Sequence, residues 1–174
     1  MTTAERIQAA DEYLAARTGH YTLRCERYDA ALEAMRTIGL SSGCTVFDIG
    51  SGWGEFAARM HGHGVHARYI PVDAGIDGTD LDRWTPPRRA DYFVALELLE
   101  HLERPHRLIT EMKRCARRAV IVSTPNPRTT DVLGMDATHR TPITAVSLEM
   151  QGFKVREASF YGREADSLFA VWGR

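Results

Sequence analysis

Lysine is nearly missing from this chain: of 22 basic residues only Lys113 and Lys154 are lysines, and arginine replaces it throughout rather than in one patch. That spread reads as a coding preference. The formal net charge is −1, so no whole-molecule field draws in DNA or an anionic membrane. Cysteine is scarce as well. Cys25, Cys44 and Cys115 are far apart, odd in number and without any CxxC or Cys/His metal spacing, which argues against a disulfide framework and a cysteine-ligated zinc site. No apolar run approaches the roughly 18 residues of a membrane span. The opening stretch MTTAERIQAADEYLAAR is charged and has no apolar centre, so it is not expected to be a signal peptide. A reducing cytoplasmic setting is expected.

What is present suits one domain with one sizeable core: 174 residues, 44% hydrophobic and 26% charged. Apolar spacing predicts amphipathic helices over residues 3–17, through Ile7, Ala10 and Leu14, and over 21–39, through Tyr28, Leu32 and Met35. Compact apolar strands are expected over 44–49, 66–72, 92–96 and 119–123, with helices over 55–61, 105–115 and 143–150. Residues 155–160 and 168–172 read as a closing hairpin. Strands alternating with helices imply a mostly parallel sheet covered on both faces. The stretch 74–89 is rich in Gly, Asp and Pro and leaves room for at most a very short strand near Leu81. Residues 1–40 are expected to form helices that cap a ligand pocket, and residues 41–174 the core that carries it.

The most informative segment is Asp48-Ile49-Gly50-Ser51-Gly52-Trp53-Gly54-Glu55, between a buried strand and a helix. Doubly wound sheets bind their ligands at such a turn. A dinucleotide fingerprint would require glycine where Glu55 stands. Glu55 and Asp48 together would repel a pyrophosphate at the helix N-terminus. S-adenosylmethionine (SAM) has the opposite demand, because it carries a sulfonium and an ammonium group and no phosphate. Asp48 can hold that cationic end, while Gly50, Ser51, Gly52, Trp53 and Gly54 bring backbone close to the methionine portion. Asp73, closing the next strand, can accept both ribose hydroxyls. Asp80 and Leu81 follow where an adenine ring is held, with Asp82 a competitor for the polar role.

Taken in order, DIGSGWGEFA, YIPVDA, GTDL, ADYFVALELLEHL and VIVSTPNP resemble the motif series of class I SAM-dependent methyltransferases. The nearest group is that of ubiquinone-pathway O-methyltransferases and small natural-product methyltransferases. The resemblance covers about residues 40–174. It implies a Rossmann-like α/β fold, a doubly wound seven-stranded sheet, mostly parallel with an antiparallel C-terminal strand, and SAM bound across the strand ends. It also implies a donor contact through the backbone of Glu97.

Glu97, Glu100 and His101 follow the strand over 92–96, and His139 lies on the loop after Thr124-Pro125-Asn126. Two carboxylates and two imidazoles suit Mg²⁺ or Mn²⁺, or His101 can act as general base on an acceptor hydroxyl, with Glu100 and His139 beside it. This set resembles the metal site of small-RNA 2′-O-methyltransferases, which implies Glu97, Glu100, His101 and His139 as ligands. The chain lacks the Asp/Asn-Pro-Pro-aromatic and Pro-Cys signatures of DNA-base enzymes and is too short for a target-recognition domain. A small-molecule acceptor methylated on O or N is therefore expected, with a peptide or RNA end, or a catalytically silent SAM-binding subunit, as alternatives. Nothing in the sequence specifies an oligomeric state.

Overall fold

The computed structural model describes residues 18–174. The expected helix over 3–17 lies outside them. Helix α1 (Thr18–Thr37) leads into β1 (Thr45–Ile49), α2 (Glu55–Gly62), β2 (Arg68–Val72), the single turn α3 (Ala74–Asp77) and β3 (Ala90–Leu96). A 3₁₀ turn (Leu99–His101) and α4 (Pro105–Cys115) precede β4 (Ala116–Pro125). The short helices α5 (Val132–Met135) and α6 (Ala145–Glu149) precede the hairpin of β5 (Lys154–Ala158) and β6 (Ser167–Gly173).

Six strands form one sheet in the order β2-β1-β3-β4-β6-β5. The pairs β1–β2, β1–β3 and β3–β4 are parallel, and β6 runs antiparallel to both neighbours. The architecture is thus mostly parallel with an antiparallel C-terminal strand, as expected, but the described residues hold six strands and not seven. The seventh place falls to residues 74–89. Asp73 caps α3 there by accepting from the Gly75 N–H at 2.8 Å, and Gly78 ends it in the left-handed region at φ 73°. Turn-forming Gly, Asp and Pro hold that segment off the sheet edge.

Alternation along the strands divides the core between the two faces. Val46, Tyr92, Val94 and Ile121 pack with Leu32 and Met35 of α1 and Phe56 and Met60 of α2. Their neighbours Phe47, Phe93, Ala95 and Val122 pack on the other side with Leu108, Ile109 and Met112 of α4 and Leu148 of α6. Phe47 and Phe93 stack at 5.1 Å between ring centroids. Helices therefore cover both faces, which is why the central strands are continuous apolar runs. Strand order reverses between β1 and β3, and the ligand crevice of a doubly wound sheet opens at that point. Among the described residues no helix is long and apolar enough to cross a membrane.

Candidate functional site

The turn after β1 depends on glycine. Gly50, Gly52 and Gly54 have φ of 73°, 51° and 93°, a region that L side chains enter only at a cost. A Cβ on Gly50 would stand 2.9 Å from Leu98 Cδ1, and one on Gly52 would stand 2.9 Å from Glu55 Oε2. The Gly50 N–H donates to the Val72 carbonyl at 2.8 Å, and the Gly52 N–H donates to Asp73 Oδ2, also at 2.8 Å. Gly54 is the N-cap of α2.

A cavity of about 370 Å³ opens beside this turn, a size suited to a small ligand. Its walls come from the ends of three strands and from α1. Asp48, Gly50, Ser51, Gly52, Glu97 and Glu100 face it, as do His101 and His139. Trp53, Gly54, Asp73, Asp80 and Leu81 are not among its lining residues. Trp53 is 41% exposed and Leu81 is buried in the core under α4. Asp80 faces solvent, where it accepts from the Asp82 N–H at 3.1 Å and pairs with Arg83 at 3.5 Å. Asp82 instead ties the start of α4, accepting from the Arg104 N–H at 2.7 Å and the Glu103 N–H at 3.2 Å.

Asp48 is buried and accepts from the Tyr69 hydroxyl at 2.5 Å. Burial pushes its pKa up to about 7 against the pull of the Tyr69 bond, and the Glu55 and Asp73 carboxylates push it further up. Glu55 is itself buried at the start of α2.

The end of β4 serves the acids that follow β3. Ser123 Oγ donates to Glu97 Oε1 at 2.7 Å, and Thr124 Oγ1 donates to Glu100 Oε2 at 3.1 Å. Glu97 adopts φ 54°, unusual for any residue but glycine. Burial raises the Glu97 pKa, while the Arg27 guanidinium and the hydroxyls of Ser123 and Tyr161 oppose the rise. Burial and the nearby Glu97 charge push Glu100 up to about 8.

The 3₁₀ turn brings Glu100 and His101 to His139. One ligand atom from each of these three lies within 4.8 Å of the others. The two imidazoles stand 4.6 Å apart, edge to face. Burial, and then His139, hold the His101 pKa below its usual value. The four residues expected to converge do share the cavity, but Glu97 stands apart from the three, turned toward Ser123 and Tyr161.

Several cavity residues carry no sequence signal. Arg27 of α1 is 9% exposed, and its Nη1 donates to the Tyr161 hydroxyl across 134 residues of chain. Its Nη2 donates to the Tyr28 hydroxyl at 3.1 Å, and its Nε has no partner among the described residues. Tyr28 is both core and cavity wall. Tyr161 is aimed inward by Asp166, which accepts from the N–H groups of Phe160, Tyr161 and Arg163 at 2.8, 2.8 and 3.0 Å. Arg27 escapes a periodicity search because α1 turns its apolar face to the sheet and Arg27 lies at its margin. The Asp166 clamp exists only once β5 and β6 are paired.

An acid-lined crevice at the reversal of a parallel sheet, entered by a glycine turn with no room for a side chain, defines a class of nucleoside-type binding domains. Within it, the methyltransferase-domain family pattern matches residues 16–165, and the chain belongs to that family. No curated protein matches the sequence. Among solved structures, the chain is similar to a SAM-dependent methyltransferase from Archaeoglobus fulgidus, with a TM-score of 0.60 and 18% identity over 85% of this chain and 94% of that one. It is likewise similar to the magnesium protoporphyrin IX methyltransferase of Synechocystis, solved with bound SAH, with a TM-score of 0.60 and 16% identity over 91% and 87%. The plantazolicin methyltransferase BpumL, in complex with SAH, aligns with a TM-score of 0.66 and 9% identity over 99% and 95%. At these identities the likeness is one of fold.

Proposed function

We propose that the chain transfers the methyl group of SAM to an oxygen or nitrogen of a small-molecule acceptor. The observation that carries this reading is the charge of the cavity wall. Asp48, Glu55, Glu97, Glu100 and Asp136 line it, and Arg27 is the one lysine or arginine among the described residues that does. SAM presents the complementary set: a sulfonium, an ammonium and one carboxylate. The acids suit the two cations, and the Arg27 guanidinium suits the carboxylate.

Asp73 reaches the ribose in this reading. Its two oxygens already take the Gly52 and Gly75 N–H groups, and a carboxylate retains further lone pairs for hydroxyl donors. Asp80 and Leu81 would border the adenine, and the backbone of Glu97 the donor's amino group. Arg27 and Tyr28 on the cavity wall support helix α1 as part of its cover. A small-molecule acceptor is in keeping with the names of two fold neighbours, the magnesium protoporphyrin IX and plantazolicin methyltransferases. Methyl transfer is an in-line displacement, so holding donor and acceptor in line in one cavity supplies much of the rate.

In this reading His101, with Glu100 and His139 beside it on the cavity wall, takes the acceptor's proton. A second reading follows from the same three residues, whose ligand atoms share one small volume. They could hold a divalent ion that binds the acceptor oxygen and lowers its pKa. Two imidazoles and one carboxylate suit Mn²⁺ or Zn²⁺ better than Mg²⁺, which favours oxygen ligands.

Calorimetry with SAM, SAH and decarboxylated SAM tests the donor reading. The wild type binds all three, and Arg27→Ala loses about ten- to a hundredfold for SAM and SAH but little for the decarboxylated donor. Absence of SAM binding by the wild type overturns it. Transfer of labelled methyl that survives a chelator excludes the metal.

A further inference from the structure

We infer that Thr138 and Asp136 are positioning residues for His101, fixing its tautomer so that an unprotonated Nε2 faces the cavity to take the acceptor's proton. The inference rests on the methyl-transfer reading above. Thr138 Oγ1 lies 2.6 Å from Asp136 Oδ1 and 2.9 Å from His101 Nδ1. A hydroxyl has one hydrogen, and an ionised carboxylate can only accept. The bond to Thr138 holds the Asp136 pKa below its usual value, which keeps that carboxylate ionised. The Thr138 hydrogen therefore goes to Asp136, and its oxygen must accept from His101. His101 Nδ1 is then the protonated nitrogen, and Nε2 carries the lone pair.

The same Asp136 oxygen also accepts from the Thr138 N–H at 2.8 Å, which pins the hydroxyl between its two partners. His139 reaches the same tautomer by another route. Its Nδ1 lies 2.6 Å from the Val132 carbonyl, which can only accept. Two imidazoles thus carry their lone pairs on Nε2, and one ring nitrogen of each lies within 4.8 Å of a Glu100 carboxyl oxygen. A hydrogen-bonded second nitrogen is the usual device for orienting a working histidine.

In the transfer, the methyl C–S bond breaks with its electron pair passing to sulfur, and the acceptor oxygen or nitrogen forms the new bond to carbon. The acceptor's proton passes to His101 Nε2. The resulting imidazolium keeps its Nδ1–H on Thr138 and sits one hydroxyl away from the Asp136 carboxylate. Asp136 acts through Thr138.

The test is long-range ¹H–¹⁵N NMR on the full chain, labelled in histidine, with a chelator present. His101 and His139 are assigned by single substitution. Both are expected in the Nδ1–H form. Thr138→Val, which removes the accepting hydroxyl, should convert His101 to the Nε2–H form, and Thr138→Ser should preserve the original. Asp136→Ala frees the Thr138 hydrogen to point at Nδ1 and should also convert His101. Asp136→Asn keeps an accepting oxygen and should not. His139 should hold its tautomer throughout, which certifies that each variant is folded. If either loss-of-contact variant unfolds, the wild-type tautomer and the two conservative variants still decide. His101 in the Nε2–H form in the wild type, or unmoved in folded Thr138→Val and Asp136→Ala, overturns the inference. Failure of wild-type calorimetry with SAM would instead overturn the donor reading, with the tautomer result standing apart.

Discussion

Asp48 holds two opposed demands in one side chain. As the acid beside the glycine turn it is suited to a cation, yet it is buried and accepts from the Tyr69 hydroxyl. Its folded pKa of about 7 lies above the roughly 3.9 of an unfolded aspartate. Between those values the native state binds more protons than the unfolded state, so stability falls as pH rises from about 4 to 7. Above pH 7 the full cost is present. Asp48→Asn keeps an acceptor for Tyr69 and removes the charge. The variant is therefore expected to be more stable than wild type at pH 8, by up to about 4 kcal/mol for three pKa units. The advantage should vanish near pH 4 while SAM affinity falls. Urea titrations at both pH values, with calorimetry beside them, check the sign. A variant less stable at pH 8 would mean that the charged carboxylate is satisfied where it lies.

At the scale of elements, the β5–β6 connection has more influence on the cavity than its sequence suggests. Asp166 is 5% exposed and accepts three backbone N–H groups of that connection. The Asn126 amide fastens the same connection from the β4 side, donating to the Ala165 carbonyl at 2.9 Å. Asp166→Ala leaves three donors unpaired, at about 1–3 kcal/mol for each that stays buried. A loss of at least about 2 kcal/mol is expected in urea. SAM affinity should weaken in whatever remains folded, because Tyr161 no longer holds Arg27. Unchanged stability together with unchanged affinity would free the cavity from this loop. Element identities were otherwise legible. The helix expected over 105–115 is α4 (Pro105–Cys115), since Pro at its first turn and a clean apolar stripe leave little latitude. The seventh strand of the resemblance is not formed among the described residues, because residues 74–89 meet their hydrogen-bonding needs in turns and against the start of α4.

For the whole molecule, ligand and fold are linked by mass action. SAM at a hundred times its dissociation constant should stabilise the protein by about 2.7 kcal/mol. In a chain of 174 residues that corresponds to a rise in melting temperature of roughly 5–10 °C. A melt that stays put under saturating SAM would contradict donor binding. The cavity that makes this linkage draws on α1, the ends of β1, β3 and β4, and the loops carrying His139 and Tyr161. The sequence by itself determined the alternation of strands and helices, the glycine turn and the acids that follow β1 and β3, because these obey local rules of periodicity, backbone conformation and charge. Only the tertiary structure decided which side chains meet. Arg27 and Tyr161 come together across 134 residues, His101 is oriented by Thr138 across 37, and Glu97 turns to Ser123 and away from the histidines. Contacts of that separation depend on where whole elements pack, and no short-range pattern in the chain records them.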